Sequence, residues 1–150
     1  MGRFPSGNSL MSRPGATVVD TDVFSRVYVN PVAADSRAQE WRDVLAGRPT
    51  VISFQTQGEV LSGARQANWG AARMVRLLEV LQRTPTIYAD VDVIGAYAAL
   101  SADCRAEGHP LHDKIHTADR WIAACAIAKH FELLSGDAIF QGAPNLNVLN

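Results

Sequence analysis

Residues 16–23 read ATVVDTDV, and this stretch decides the fold. A β-branched run favours an extended, buried strand, and here it leads straight into two acids, Asp20 and Asp22. A short strand that is apolar on both faces suits a parallel sheet covered by helices. The flanking chain supplies the rest of such a sheet. FSRVYVN continues as a short helix that Pro31 stops. AADSRAQEWRDVLAGR is a helix with Trp41, Val44 and Leu45 on one face and Gly47 at its C-terminal cap. PTVISFQT reads as a second strand and GEVLSGARQANW as the helix after it. AARMVRLLEVLQR is amphipathic through Met74, Leu77, Leu78 and Leu81.

Further on, TPTIYADV reads as a strand, followed by the alanine-rich helix VIGAYAALSADCRAEG, which Gly108 and Pro110 break. LHDKIH reads as loop. TADRWIAACAIAKH is a helix with Thr117 as its N-cap, FELLSGDAIF passes from strand to turn, and LNVL is a last short strand. Strands alternating with helices predict an α/β chain, a three-layer α/β/α sandwich with a central parallel sheet. Residues 1–15, rich in Gly, Ser, Pro and Arg without periodicity, predict a flexible N-terminal tail, which leaves 16–150 as one domain.

Composition narrows the function classes. A chain of 150 residues builds one core, and a hydrophobic fraction of 47% with 19% charged residues suits an ordinary globular protein. The longest apolar run, WIAACAIA at 121–128, is too short to cross a bilayer. The N-terminus lacks the apolar stretch of a secretory signal, so a cytoplasmic location is expected. Cys104 and Cys125 make neither a disulfide framework nor a zinc site and read as small core residues. The net charge of −1 argues against a nucleic-acid partner at face value. If metal cancels four of the 15 acids, 11 remain against 14 basic residues, so charge permits such a partner without pointing to one.

In open parallel sheets, ligands bind beyond the C-terminal ends of the strands. That edge should collect Asp20 from the first strand and Asp137 from the turn after FELLS. Glu59 at the start of the helix after ISFQT, and Asp119 near the start of the WIAACAIA helix, face the same mouth. Each acid alone has an ordinary reading, as a turn residue or as a first-turn acid favoured by the helix dipole. Together they repel one another unless a cation sits among them. Hard oxygen ligands suit Mg²⁺ or Mn²⁺ rather than zinc, and such an ion polarises a phosphoryl oxygen and acidifies bound water. His112 and His116 have the spacing of zinc ligands on a helix, but LHDKIH reads as loop and Asp113 stands where a metalloprotease has Glu. Lys114, His116 and Arg120, close to Asp119 in sequence, are candidate contacts to substrate phosphates. Trp69 and Trp121 read as packing residues rather than base-stacking platforms.

Four segments, VVDTDVFS, ISFQTQGEV, TADRWIAACAIA and LLSGDAIF, resemble the four successive motifs of PIN domains, most nearly those of VapC-type toxins of bacterial toxin–antitoxin pairs. The resemblance spans roughly residues 16–150. It implies metal ligation by Asp20, Glu59, Asp119 and Asp137, with Thr21 and Ser135 orienting them. It also implies an Mg²⁺- or Mn²⁺-dependent endoribonuclease that hydrolyses RNA phosphodiester bonds with metal-activated water. A homodimer and a cognate antitoxin that blocks the site are implied partners. The sequence departs from the pattern in three places. Asp22 stands where Asn is common and adds a charge that can join the metal shell. Ser135 replaces Thr, and Ile139 stands where many members carry a further Asp.

Two rivals remain. VVDTDV and LLSGD also satisfy the first and last motifs of a haloacid-dehalogenase-like phosphatase, with Lys114 as its phosphate-binding lysine. Residues 138–141, Ala-Ile-Phe-Gln, lack the second acid that phosphatase expects, and Glu59 and the Asp119 helix are left without a role. The other rival is a catalytically inactive PIN-like binding module, against which four intact acids weigh.

Overall fold

The computed structural model describes residues 15–149, so the predicted tail falls outside the described residues except for Gly15. Among these residues five short strands form one sheet: β1 (Thr17–Val19), β2 (Thr50–Ser53), β3 (Thr86–Ile87), β4 (Glu132–Leu134) and β5 (Val148–Leu149). Their order is β3-β2-β1-β4-β5, every neighbouring pair is parallel, and β1 lies at the centre. Among the described residues six α-helices cover the sheet: α1 (Thr21–Phe24), α2 (Ser36–Leu45), α3 (Phe54–Gln66), α4 (Ala71–Arg83), α5 (Val91–Glu107) and α6 (Thr117–Lys129).

Because alternate residues of a strand point to opposite faces, each strand feeds two cores. Val18, Val51, Ile87 and Leu133 pack with Val93, Leu100 and Cys104 of α5 and with Ile122 and Ala126 of α6. Val19, Ile52 and Leu134 point the other way, onto Phe24, Trp41, Leu45, Val60 and Leu77 of the first four helices. These two clusters are the two interfaces of a three-layer α/β/α sandwich. Both cysteines are buried and free, as expected of core packing.

The structure corrects several local expectations. The second strand stops at Ser53, whose hydroxyl accepts the Thr56 N–H and starts α3 at Phe54. Glu59 therefore lies beyond the first turn and is not a helix-start acid. Thr117 does not cap α6 by accepting a backbone N–H. It is the first helical residue and donates its hydroxyl to the Lys114 carbonyl at 2.6 Å. Leu78 is exposed, because only Leu77 and Leu81 of α4 reach the core and Met74 is partly covered. LHDKIH folds as two short 3-10 turns, Pro110–His112 and Lys114–His116. The helix after Asp20 runs into a π turn, Ser25–Val29, before it ends. Among the described residues no helix is long and apolar enough to cross a membrane.

Candidate active site

The backbone beyond β1 turns at once into α1, with Asp20 as the N-cap: its Oδ1 accepts the Val23 N–H at 3.0 Å. The Ser135 hydroxyl donates to its Oδ2. The same Ser135 oxygen accepts the Asp137 N–H at 2.9 Å, so one hydroxyl ties the end of β1 to the turn after β4. Asp137 caps the 3-10 turn Ala138–Phe140, its Oδ1 accepting the Ile139 N–H at 2.9 Å. Asp119, in the first turn of α6, lies 3.1 Å from Nδ1 of His116.

Glu59 is held by a chain of hydroxyls. Thr21 donates to its Oε1, and Thr21 Oγ1 lies 3.0 Å from Thr56 Oγ1. The Ser53 hydroxyl donates in turn to Thr56 at 3.3 Å, while Gln55 Nε2 donates to Glu59 Oε2 at 3.3 Å. Ser53 and Thr56 are fully buried. Sequence reasoning named Thr21 but missed Ser53, Thr56 and Gln55. The available signal was the spacing of Ser53, Thr56 and Glu59 by three, which stacks them on one side of a helix.

All four acids, Asp20, Glu59, Asp119 and Asp137, line one pocket of about 500 Å³, with Thr21, Asp22 and Gly136 beside them. Burial pushes the Asp20 carboxyl above its ordinary range, and the nearby charges of Asp22 and Asp119 push the same way. Asp119 is also raised by burial, with Asp137 and Glu59 adding to the shift, against the opposing hydrogen bond from His116. The donor set is thus all carboxylate and partly desolvated, which is the chemistry that fits a hard divalent cation. In the side-chain arrangement described, no three such groups among the described residues meet at a single ion. Each carboxylate is hydrogen-bonded to a local partner, Asp20 to Ser135, Glu59 to Thr21, Asp119 to His116 and Asp137 to the Ile139 N–H.

The candidate phosphate contacts fare differently. Arg120 is buried, with Nη1 donating to the carbonyls of Leu111 and Asp113 at 2.7 and 2.8 Å. Its Nη2 donates to the Tyr97 hydroxyl and to Thr117, both at 3.2 Å. This guanidinium holds the two 3-10 turns against α5 and α6 and is not available to a substrate. His116 is engaged with Asp119, and Lys114 does not line the acidic pocket. Trp121 stacks on Tyr97 with ring centroids 3.9 Å apart, as a packing residue does.

Fold and site together define a class: an α/β/α domain with an acidic pocket at the C-terminal edge of a parallel sheet. A family model for the PIN domain matches residues 17–146, and the chain belongs to the PIN domain family. This decides against the phosphatase reading. Solved structures share the fold. VapBC2 from Rickettsia felis, bound to a DNA fragment from its promoter, is similar at a TM-score of 0.70 and 20% identity, over 90% of this chain and 98% of that one. FitAcB from Neisseria gonorrhoeae is similar at 0.68 and 23%, over 89% and 96%. VapBC-5 from Mycobacterium tuberculosis, of the VapBC family of toxin-antitoxin systems, is similar at 0.61 and 22%, over 91% and 99%. No curated protein sequence matches significantly.

Proposed function

We propose that this protein is a divalent-metal-dependent endoribonuclease and the toxin of a toxin–antitoxin pair. The observation that carries the reading is the acidic pocket: four carboxylates from four separate segments, two of them raised by burial, line one cavity. Asp20, Glu59, Asp119 and Asp137 would hold Mg²⁺ or Mn²⁺, with Asp22 beside them. A divalent ion held there activates water and offsets negative charge on a phosphoryl oxygen. The protein's own part is orientation. Ser135 directs Asp20 and the Asp137 turn, the Thr56–Thr21 hydroxyls direct Glu59, and His116 directs Asp119.

Support for an antitoxin partner comes from structures that share the fold, such as VapBC-5 and a toxin-antitoxin complex from Klebsiella pneumoniae. The exposed apolar residues Val75 and Leu78 of α4, and Val91 and Ile94 of α5, offer an antitoxin or a second copy of the chain apolar area to bury. The test of the enzyme is incubation with total RNA and Mg²⁺, with and without EDTA, followed by mapping of cut ends. Discrete cuts that EDTA abolishes are expected, with p-nitrophenyl phosphate left untouched. RNA that stays intact in both arms would leave only the inactive binding module.

A further inference from the structure

The acidic pocket and a second one beside it, bounded by Gln55, Gly58, Ser62 and Gln66, share Thr21, Asp22 and Glu59, and neither is lined by a Lys, Arg or His among the described residues. An RNA strand nevertheless brings a phosphate at every nucleotide, and phosphates are held by cationic side chains and N–H groups. Basic side chains that bond to the pocket wall are therefore the candidates. Three basic side chains among the described residues bond directly to wall residues. Arg26 bonds to Asp22 at 3.3 Å, but it is also paired with Asp35 at 2.8 Å, and so it already carries two carboxylates. His116 is engaged with Asp119.

Arg37 is different. Its Nη2 donates to the carbonyl of Gly136 at 2.9 Å, and no ion pair occupies it among the described residues. The guanidinium carbon lies 5.1 Å from the ring centroid of Trp41, within the range of a cation–π contact. Gly136 explains how it comes so close to the pocket. A Cβ at that position would meet Nη2 at 2.6 Å and Cζ at 2.9 Å, so any other residue would push the guanidinium away from the wall. Among the described residues one N–H of a five-donor fork is used, the group lies over an indole, and no carboxylate forms an ion pair with it.

We propose that Arg37 is a substrate-binding residue that grips an RNA phosphate next to the one being cut. The inference rests on the ribonuclease reading. Arg37 reaches the pocket through the backbone of Gly136, beside the carboxylates rather than among them. It therefore suits a neighbouring phosphate, and strengthens binding more than it speeds the chemical step.

The test is single-turnover cleavage of a short labelled single-stranded RNA in Mn²⁺, with enzyme concentration varied at a series of KCl concentrations. Wild type is compared with Arg37→Met, which keeps the aliphatic stem over Trp41, and Arg37→Lys, which keeps the charge. Arg37→Met should raise the half-saturating enzyme concentration about tenfold at low salt and leave the maximal rate within about twofold. Its log–log salt slope should fall by about 0.7, the value for one phosphate contact on a single strand. Arg37→Lys should retain the wild-type slope, and Mn²⁺ affinity by calorimetry should be the same in all three. An unchanged salt slope in Arg37→Met, or a loss confined to the maximal rate, overturns the proposal and makes Arg37 a clamp on the Gly136 turn. A wild-type protein that does not cut RNA overturns the ribonuclease reading, and this inference with it.

Discussion

Asp113 and Asp119 flank one short turn, yet only Asp119 lines the acidic pocket. Asp113 sits between the two 3-10 turns, and its role there is played by its carbonyl, which accepts from Arg120. Asp119→Asn should abolish RNA cleavage while the fold survives. In EDTA its melting temperature should equal or exceed that of wild type, because folding raises the pKa of this carboxyl and the ionised form opposes folding. Asp113→Asn should cleave at close to the wild-type rate. Nuclease assays with circular dichroism on both variants decide this. A folded, active Asp119→Asn would remove that residue from the site.

Asp35 illustrates the opposite shift. It caps α2 by accepting the Ala38 N–H and pairs with Arg26, whose guanidinium lowers its carboxyl from 3.8 to about 2. Folding therefore favours the ionised form. Its contribution to stability is complete above about pH 4 and disappears as the pH falls through about 2. Asp35→Asn should be less stable than wild type at pH 6, and the gap in urea midpoint should close between pH 4 and pH 2. A gap that stays constant over that range would mean that packing or capping, and not charge, is what the carboxylate contributes.

At the scale of elements, the segment between α5 and α6 depends on Arg120. A buried guanidinium with no carboxylate partner among the described residues needs other acceptors, and it has two carbonyls and two hydroxyls, with its Nε left unpartnered. Arg120→Met would take the side-chain donor from the Leu111 carbonyl and leave the Asp113 carbonyl with only the His116 N–H, at roughly 1–3 kcal/mol of stability. Calorimetry should show that loss, and amide exchange in residues 110–116 should rise. Residual cleavage should survive, since Arg120 does not line the pocket. Unchanged exchange in 110–116 would show that those turns are held by something else.

The whole molecule determines how a cation and folding are linked. The four pocket acids come from the end of β1, from α3, from α6 and from the turn after β4, and an unfolded chain scatters them. An ion that binds all four binds only the native state. At a hundredfold excess over its dissociation constant it would add about 2.7 kcal/mol. Mn²⁺ should therefore raise the melting temperature of wild type by several degrees, EDTA should reverse the rise, and Asp119→Asn should show little of it. A wild-type melting temperature indifferent to Mn²⁺ would sink the four-acid site.

The sequence by itself determined the sheet class and the acids of the pocket. A β-branched strand such as TVV, with Val18 and Val19 on opposite faces, calls for burial on both, and a strand-helix alternation permits few arrangements but a parallel sheet under helices. The rule that ligands sit beyond parallel strand ends then gathers Asp20, Glu59, Asp119 and Asp137 at one mouth, and the motif resemblance picks out the same four. What only the tertiary structure decided was how side chains far apart in sequence share their donors. Arg120 reads in sequence as a candidate phosphate contact beside Asp119, and is a buried clamp because α5 brings Tyr97 against it. Arg37 carries no signal in its own helix, because the Gly136 that admits it lies 99 residues further along the chain and is brought there by β4. Thr56 stands one turn before Glu59 in α3, but only α1 brings Thr21 across to join its hydroxyl to the carboxylate. Periodicity reports which face of an element is buried, whereas a hydrogen-bond network depends on which two elements meet, and that is settled by packing.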